Sequence, residues 1–141
     1  MSRIFLDTNF FVYLIEGSSS RAAKAKRLLQ AFSTRRDEVL TSVMTLGEIL
    51  VKPMKNSDHA LIAQYWRIFK GQGVSVLPFV EDAAEAFARI RTETSVKPPD
   101  AIQLATAATA GCDMFLTNDD RLTGLVVPGI QFIMSFDRAP F

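Results

Sequence analysis

The period of apolar and polar positions changes repeatedly along the chain, and each change marks an element. Ile4 to Leu6 is a short apolar run of strand formers, and "FFVYLIEG" behind it is apolar nearly all round before a stop at Gly17. The pair predicts a buried strand followed by a buried helix. "SSSRAAKAKRLLQAFSTRR" opens on capping serines and sets Ala25, Leu28, Leu29 and Phe32 on one helical stripe, with basic residues opposite. "EVLTS" reads as a second strand, and "VMTLGEILVKPM" as a third helix ending near Pro53. A fourth helix, "SDHALIAQYWRIFKGQG", takes its cap from Ser57 or Asp58. Its wide apolar face of Leu61, Ile62, Tyr65, Trp66 and Phe69 suits core packing or a homodimer contact.

The strand "VSVLPF", the helix "EDAAEAFARIRTE", the Pro-started helix "PPDAIQLATAATAG", the strand "MFLT" and a last strand "IQFIMSF" complete the series. Strands alternate with helices throughout. That alternation predicts an α/β fold of three layers, with helices on both faces of a mostly parallel sheet of about five strands. No repeat, linker or low-complexity segment interrupts it, so residues 1–141 are expected to form one domain.

Composition narrows the functional classes. With 141 residues, 48% of them hydrophobic, the chain has the means to bury a sizeable core. A net charge of +1 supplies no bulk attraction for nucleic acid or membrane, so any polyanion has to be held by local charge. The single cysteine, Cys112, has no internal disulfide partner and suits a small buried role in a reducing cytoplasm. No stretch approaches the ~18 apolar residues of a spanning helix, and no leader pattern precedes the first strand. A cytoplasmic protein is expected.

The acids carry the candidate chemistry. Asp7 ends the first strand, Asp119 follows a strand in "LTNDDR", and Asp100 stands in the first turn of a helix behind Pro98 and Pro99. Each has an ordinary structural explanation, as helix cap, turn former or dipole partner respectively. Glu48 lies among Leu46, Ile49 and Leu50 behind Gly47, a helical glycine that suggests a close approach to the backbone. In a parallel sheet the strand C-termini and the crossover-helix N-termini share one edge, which is where ligands of open α/β folds bind. Asp7, Asp100 and Asp119 belong to that edge, and Glu48 can lean toward it.

Four carboxylates within ~5 Å of one another would repel by about 3 kcal/mol per ionised pair at an effective dielectric near 20. A hard divalent cation offsets that repulsion, and Mg²⁺ or Mn²⁺ takes a few carboxylates together with water and substrate phosphate. The acids are therefore candidate metal ligands. His59, the only histidine, lies on the fourth helix away from them, which argues against a histidine triad.

"DTN" after the first strand, "TLGEI" on the third helix, "PPDAIQLATA" opening a late helix and "FLTNDDRL" after the fourth strand form an ordered set. In that order the set resembles the PIN-domain ribonucleases, particularly the VapC-type toxins of toxin–antitoxin pairs, over nearly the whole chain. The resemblance implies Mg²⁺- or Mn²⁺-dependent hydrolysis of RNA phosphodiesters, with one or two ions. It maps Asp7, Glu48, Asp100 and Asp119 onto the catalytic acids, with Asp120 as the alternative to Asp119, and Asn9 and Thr117 onto supporting polar positions. It also implies a small antitoxin partner. Arg21, Lys24, Arg27, Lys52 and Lys97 are candidate RNA contacts, since an acidic site needs cations nearby to draw in phosphate.

Rival folds fit less well. A haloacid-dehalogenase-type phosphotransferase wants a second Asp where Asn9 stands, a receiver domain wants a lysine after its fifth strand, and no G-x-G-x-x-G follows the first strand. The rival of a different class is a PIN-like module that binds RNA or acts as a scaffold without cleaving, and within the nuclease class the alternative is an RNA-processing enzyme with no toxin role.

Overall fold

The computed structural model describes residues 1–140. In chain order the elements are β1 (Arg3–Leu6), α1 (Thr8–Glu16), α2 (Ser19–Arg35), β2 (Glu38–Ser42), α3 (Val43–Lys55), α4 (His59–Lys70), β3 (Ser75–Leu77), α5 (Ala83–Glu93), α6 (Pro98–Ala110), β4 (Met114–Thr117), α7 (Asp120–Thr123) and β5 (Phe132–Ser135). The strands lie in the order β3-β2-β1-β4-β5. All four pairings are parallel. The expected α/β/α architecture is present, with no antiparallel strand in the sheet.

Strand residues alternate between the two layers because successive side chains leave a strand on opposite faces. Ile4, Leu6, Val39, Met114 and Leu116 pack against α1 to α4, while Phe5, Leu40 and Phe115 pack against α5 to α7. Phe5 and Phe115, partners across β1 and β4, stack with ring centroids 5.1 Å apart. Right-handed crossovers account for the division of helices. From β1 the chain moves through β2 to β3 with α1 to α4 on one face; from β3 it returns across to β4 and β5, placing α5 to α7 on the other.

Several boundaries differ from the sequence expectation. β3 stops at Leu77, before Pro78, and β5 spans only Phe132–Ser135. α3 runs through Pro53 to Lys55 with that proline buried inside it. Asp58 is the cap of α4, accepting a hydrogen bond from the Leu61 N–H. Along α4, Tyr65 and Phe69 are buried and Leu61 and Ile62 pack against the same core, so most of the wide apolar face is interior and Trp66 alone of the five is exposed. A Cβ built on Gly47 would meet open space, so that glycine marks no close approach. Cys112 is buried in the α5–α7 layer, where desolvation pushes its thiol up to about 12, an inert state.

No helix among the described residues is long and apolar enough to cross a membrane.

Candidate active site

β1 and β4 are neighbours, yet the chain leaves β1 toward one helix layer and β4 toward the other. Their C-terminal ends therefore open a crevice, the switch point of the sheet. Asp7 sits there, its N–H donating to the Leu116 carbonyl at 3.0 Å as the last rung of the β1–β4 ladder. Its side chain is buried at 7% exposure, which is what the opening apolar run implied. One carboxylate oxygen accepts from the Thr8 N–H at 2.8 Å, and the other accepts from the Thr117 hydroxyl at 2.8 Å. Thr117 also accepts from the Asp119 N–H at 3.1 Å, joining the ends of the two strands.

A buried glutamine organises the opposite side. Gln103 projects from α6, and its carbonyl oxygen accepts from the Ser42 hydroxyl, the cap of α3. Its amide donates to the Thr45 hydroxyl at 2.5 Å, with longer contacts of 3.3 Å to the Thr8 hydroxyl and 3.4 Å to Asp7. Thr8 in turn donates to Glu48 at 2.8 Å. The direction of donation thus runs from Ser42 through Gln103 and Thr8 to Glu48, and it fixes the exposed glutamate at the crevice mouth. Gln103→Leu removes every one of these partners while keeping a similar volume. It should cost about 1–3 kcal/mol in denaturant unfolding, because buried hydroxyls lose their partners. An unchanged midpoint would show that the hydroxyls find partners without it.

The acids feel one another's charge. Burial is the main cause that holds the Asp7 carboxyl above its ordinary value, and Glu48 adds to it, against the hydrogen bonds from Thr117, Thr8 and Gln103. Asp100, half-buried on the first turn of α6, is also raised, first by desolvation and then by Asp7 and Asp119; Arg121 and Lys97 oppose the rise. No described residue donates a hydrogen bond to Asp100. Asp119 is lowered, chiefly by hydrogen bonds from the Arg121 guanidinium. Of the adjacent pair, Asp119 is the one whose charge reaches Asp100; Asp120 is exposed at the start of α7.

Asp7, Glu48, Asp100 and Asp119 thus share the crevice, but they stand apart. Among the described residues no group of three or more His, Cys, Asp or Glu side chains is gathered closely enough to hold a metal ion. The hydrogen bonds explain the spacing, since Glu48 is turned to Thr8 and Asp119 to Arg121. The donor set is nonetheless all oxygen and anionic, and two of its members, Asp7 and Asp100, are pushed toward protonation by desolvation first and by neighbouring carboxylates second. That combination fits a hard divalent cation better than zinc, which favours histidine and cysteine.

The supporting residues divide. Thr117 is fully buried against Asp7, whereas Asn9 is exposed, and Thr8 between Asp7 and Asn9 makes the link to Glu48. Among the basic candidates, Lys97 caps α6 and lines a cleft of about 340 Å³ with Asp100. Arg21 lies over the Tyr13 ring at 4.7 Å and Lys24 pairs with Asp137 beside it. Both line a cavity of about 120 Å³ that reaches Asn118. Lys52 faces Glu16 at 3.7 Å and Arg27 is exposed on α2, and the crevice gathers neither. Sequence reading missed Gln103 and Arg121. The amide amid the apolar run of "AIQLATA" was the available signal for Gln103; for Arg121, two residues beyond Asp119, it was the spacing.

The model of the PIN domain matches residues 4–125, and the chain belongs to that family. Solved structures share the fold over almost their full length. VapBC2 from Rickettsia felis, bound to a DNA fragment from its promoter, superposes with a TM-score of 0.76 at 16% identity, covering 94% of this chain and 98% of that one. A toxin–antitoxin complex from Klebsiella pneumoniae has a TM-score of 0.68 at 26% identity, covering 90% of this chain and 94% of the other. VapC20 of Mycobacterium tuberculosis, a sarcin–ricin loop cleaving toxin, has a TM-score of 0.66 at 23% identity over 87% of this chain and 96% of that one. No curated protein matches.

Proposed function

We propose that this PIN-domain protein is an endoribonuclease dependent on Mg²⁺ or Mn²⁺, and the toxin of a toxin–antitoxin pair. The observation that carries the reading is the buried Asp7 at the switch point, with Glu48, Asp100 and Asp119 around it and raised carboxyls at its centre. A bound divalent ion supplies an acidified water and neutralises charge that builds on the phosphoryl oxygens. Asp7, Asp100 and Asp119 are the residues that would hold it. Thr117, the Thr8 N–H and Gln103 keep the Asp7 carboxylate in one orientation, so little reorganisation is needed on binding. Glu48, aimed by Thr8 at the open side, orients the attacking water and takes its proton. Water oxygen then bonds to phosphorus as the bond to the ribose 3′ oxygen breaks and that oxygen takes a proton from solvent, leaving a 5′-phosphate and a 3′-hydroxyl.

The toxin part rests on the family and on the solved complexes. An antitoxin in such a pair would close the crevice, and an inserted cationic side chain suits its charge.

Purified protein should cleave an RNA oligonucleotide with Mg²⁺ or Mn²⁺, stop when chelator is added, and yield 5′-phosphate ends. Cleavage that survives chelator, or products ending in 2′,3′-cyclic phosphate, would remove the hydrolytic mechanism. RNA binding without cleavage would favour the non-catalytic module.

A further inference from the structure

Asp119 is wholly engaged by one residue. The Arg121 Nε donates to one carboxylate oxygen at 3.0 Å and a terminal guanidinium nitrogen to the other at 2.6 Å, while the Arg121 N–H adds a bond of 2.9 Å. Both oxygens that a cation would need are therefore covered by a guanidinium. The side chain making this pair is 73% exposed. The fork is bidentate, but its guanidinium is open to solvent screening, so a divalent cation that needs the same two oxygens competes with it directly.

The surroundings say where the released guanidinium would act. Arg121 and Lys97 both line the cleft of about 340 Å³ that runs from Asp100 to Glu93, Thr94 and Ser95. Lys97 is exposed at the start of α6, and Arg121 is tethered on α7, directly after β4. The cleft is thus continuous with the acidic crevice through Asp100 and carries cations on both of those elements. Arg121 presents a planar fork that matches two phosphate oxygens, and Lys97 a compact point charge.

We propose that Arg121 exchanges partners during the working cycle: it is the resident counter-ion of Asp119 in the metal-free protein, and on metal entry it turns into the Lys97 cleft to bind a phosphate of the RNA. The inference rests on the nuclease reading and adds to it a substrate-binding residue and a direction. One backbone phosphate flanking the cut lies toward the α5–α6 loop. It also explains how an acidic crevice admits a polyanion, because metal binding both neutralises the acids and frees a cation.

The test pairs two readouts that a purely structural arginine would not move in opposite directions. Mn²⁺ affinity of the metal-free protein is measured by titration calorimetry, and KM and kcat are measured on a short RNA oligonucleotide, for wild type, Arg121→Ala, Arg121→Lys and Lys97→Ala. Arg121→Ala should bind Mn²⁺ about two- to fivefold more tightly, as loss of a competing exposed ion pair requires. Its KM should rise about tenfold or more, as expected for a lost charge-assisted contact. Arg121→Lys should recover part of the KM, and Lys97→Ala should raise KM with a smaller gain in Mn²⁺ affinity than Arg121→Ala gives, since Lys97 acts on Asp100 only through its charge. Melting curves confirm that each variant is folded. Mn²⁺ affinity unchanged or weakened in Arg121→Ala, or an unchanged KM, overturns the exchange while leaving the nuclease intact. A wild type that binds no Mn²⁺ and cleaves no RNA overturns both readings together.

Discussion

Asp7→Asn should give a folded protein that cleaves RNA about 10²–10³-fold more slowly, with the loss in kcat, because the missing charge acts on the transition state. The substitution keeps the volume of the buried side chain and leaves an oxygen to accept from the Thr8 N–H. Its amide would then donate to the Thr117 hydroxyl, which has to reorient from its present role as donor. What disappears is the negative charge at the base of the crevice. Asp100→Asn should behave alike, since that carboxylate has no hydrogen-bonding role among the described residues. Asp120→Asn should cleave nearly as wild type, because Asp120 is exposed on α7 and its charge is not among those that act on Asp100. The measurement is single-turnover cleavage at saturating Mn²⁺. Near-wild-type rates for Asp7→Asn would mean that the residue only caps α1, and comparable losses at Asp120 would move the fourth acid by one position.

That cap is present, and it shows why single residues were ambiguous in the sequence. Asp7 does serve the start of α1 and Asp119 does cap α7, so the structural and chemical readings are true of the same side chains. Strand alternation and parallel topology were enough to put Asp7, Asp100 and Asp119 on one edge of the sheet, but not to say how far apart their carboxylates would stand. Gln103 could not be placed in that way. Its role depends on α6 meeting the first turn of α3 across the end of the sheet, a contact between residues 42 and 103 that no local period encodes. Gly47 misled for the opposite reason: a local oddity suggested a contact, and the fold puts open space there. The basic residues divide similarly. Helix periodicity marks a solvated face on α2, but only the tertiary arrangement distinguishes Lys97, beside Asp100, from Arg27.

Metal binding should raise the melting temperature of the wild type by about 5–10 °C at a hundredfold excess of Mn²⁺ over Kd. Binding to the folded state alone contributes RT ln(1 + [L]/Kd), about 2.7 kcal/mol there, and each kcal/mol moves a domain of this size by about 2–4 °C. The metal-free protein should also reveal the strain that the cation relieves. The ordinary carboxyl value for Asp7 is 3.8, and in the folded protein it is raised by burial first and by Glu48 as well. Between those two values the folded state holds a proton that the unfolded chain has released, so stability falls as pH rises through the interval. Asp100, raised by desolvation, Asp7 and Asp119, contributes in the same sense, whereas Asp119, lowered by Arg121, contributes stability that is lost in acid. The stability of Asp7→Asn relative to wild type should therefore grow as pH climbs from about 4. It should level off once Asp7 is ionised, leaving the variant with the higher metal-free melting temperature at pH 7 and a smaller rise on adding Mn²⁺. Asp119→Asn should show no such gain, because its charge is already balanced by Arg121. If wild-type melting ignores divalent cations, and Asp7→Asn is the less stable protein at every pH, the crevice acids are caps and turn formers and the case for a metal site loses its physical basis.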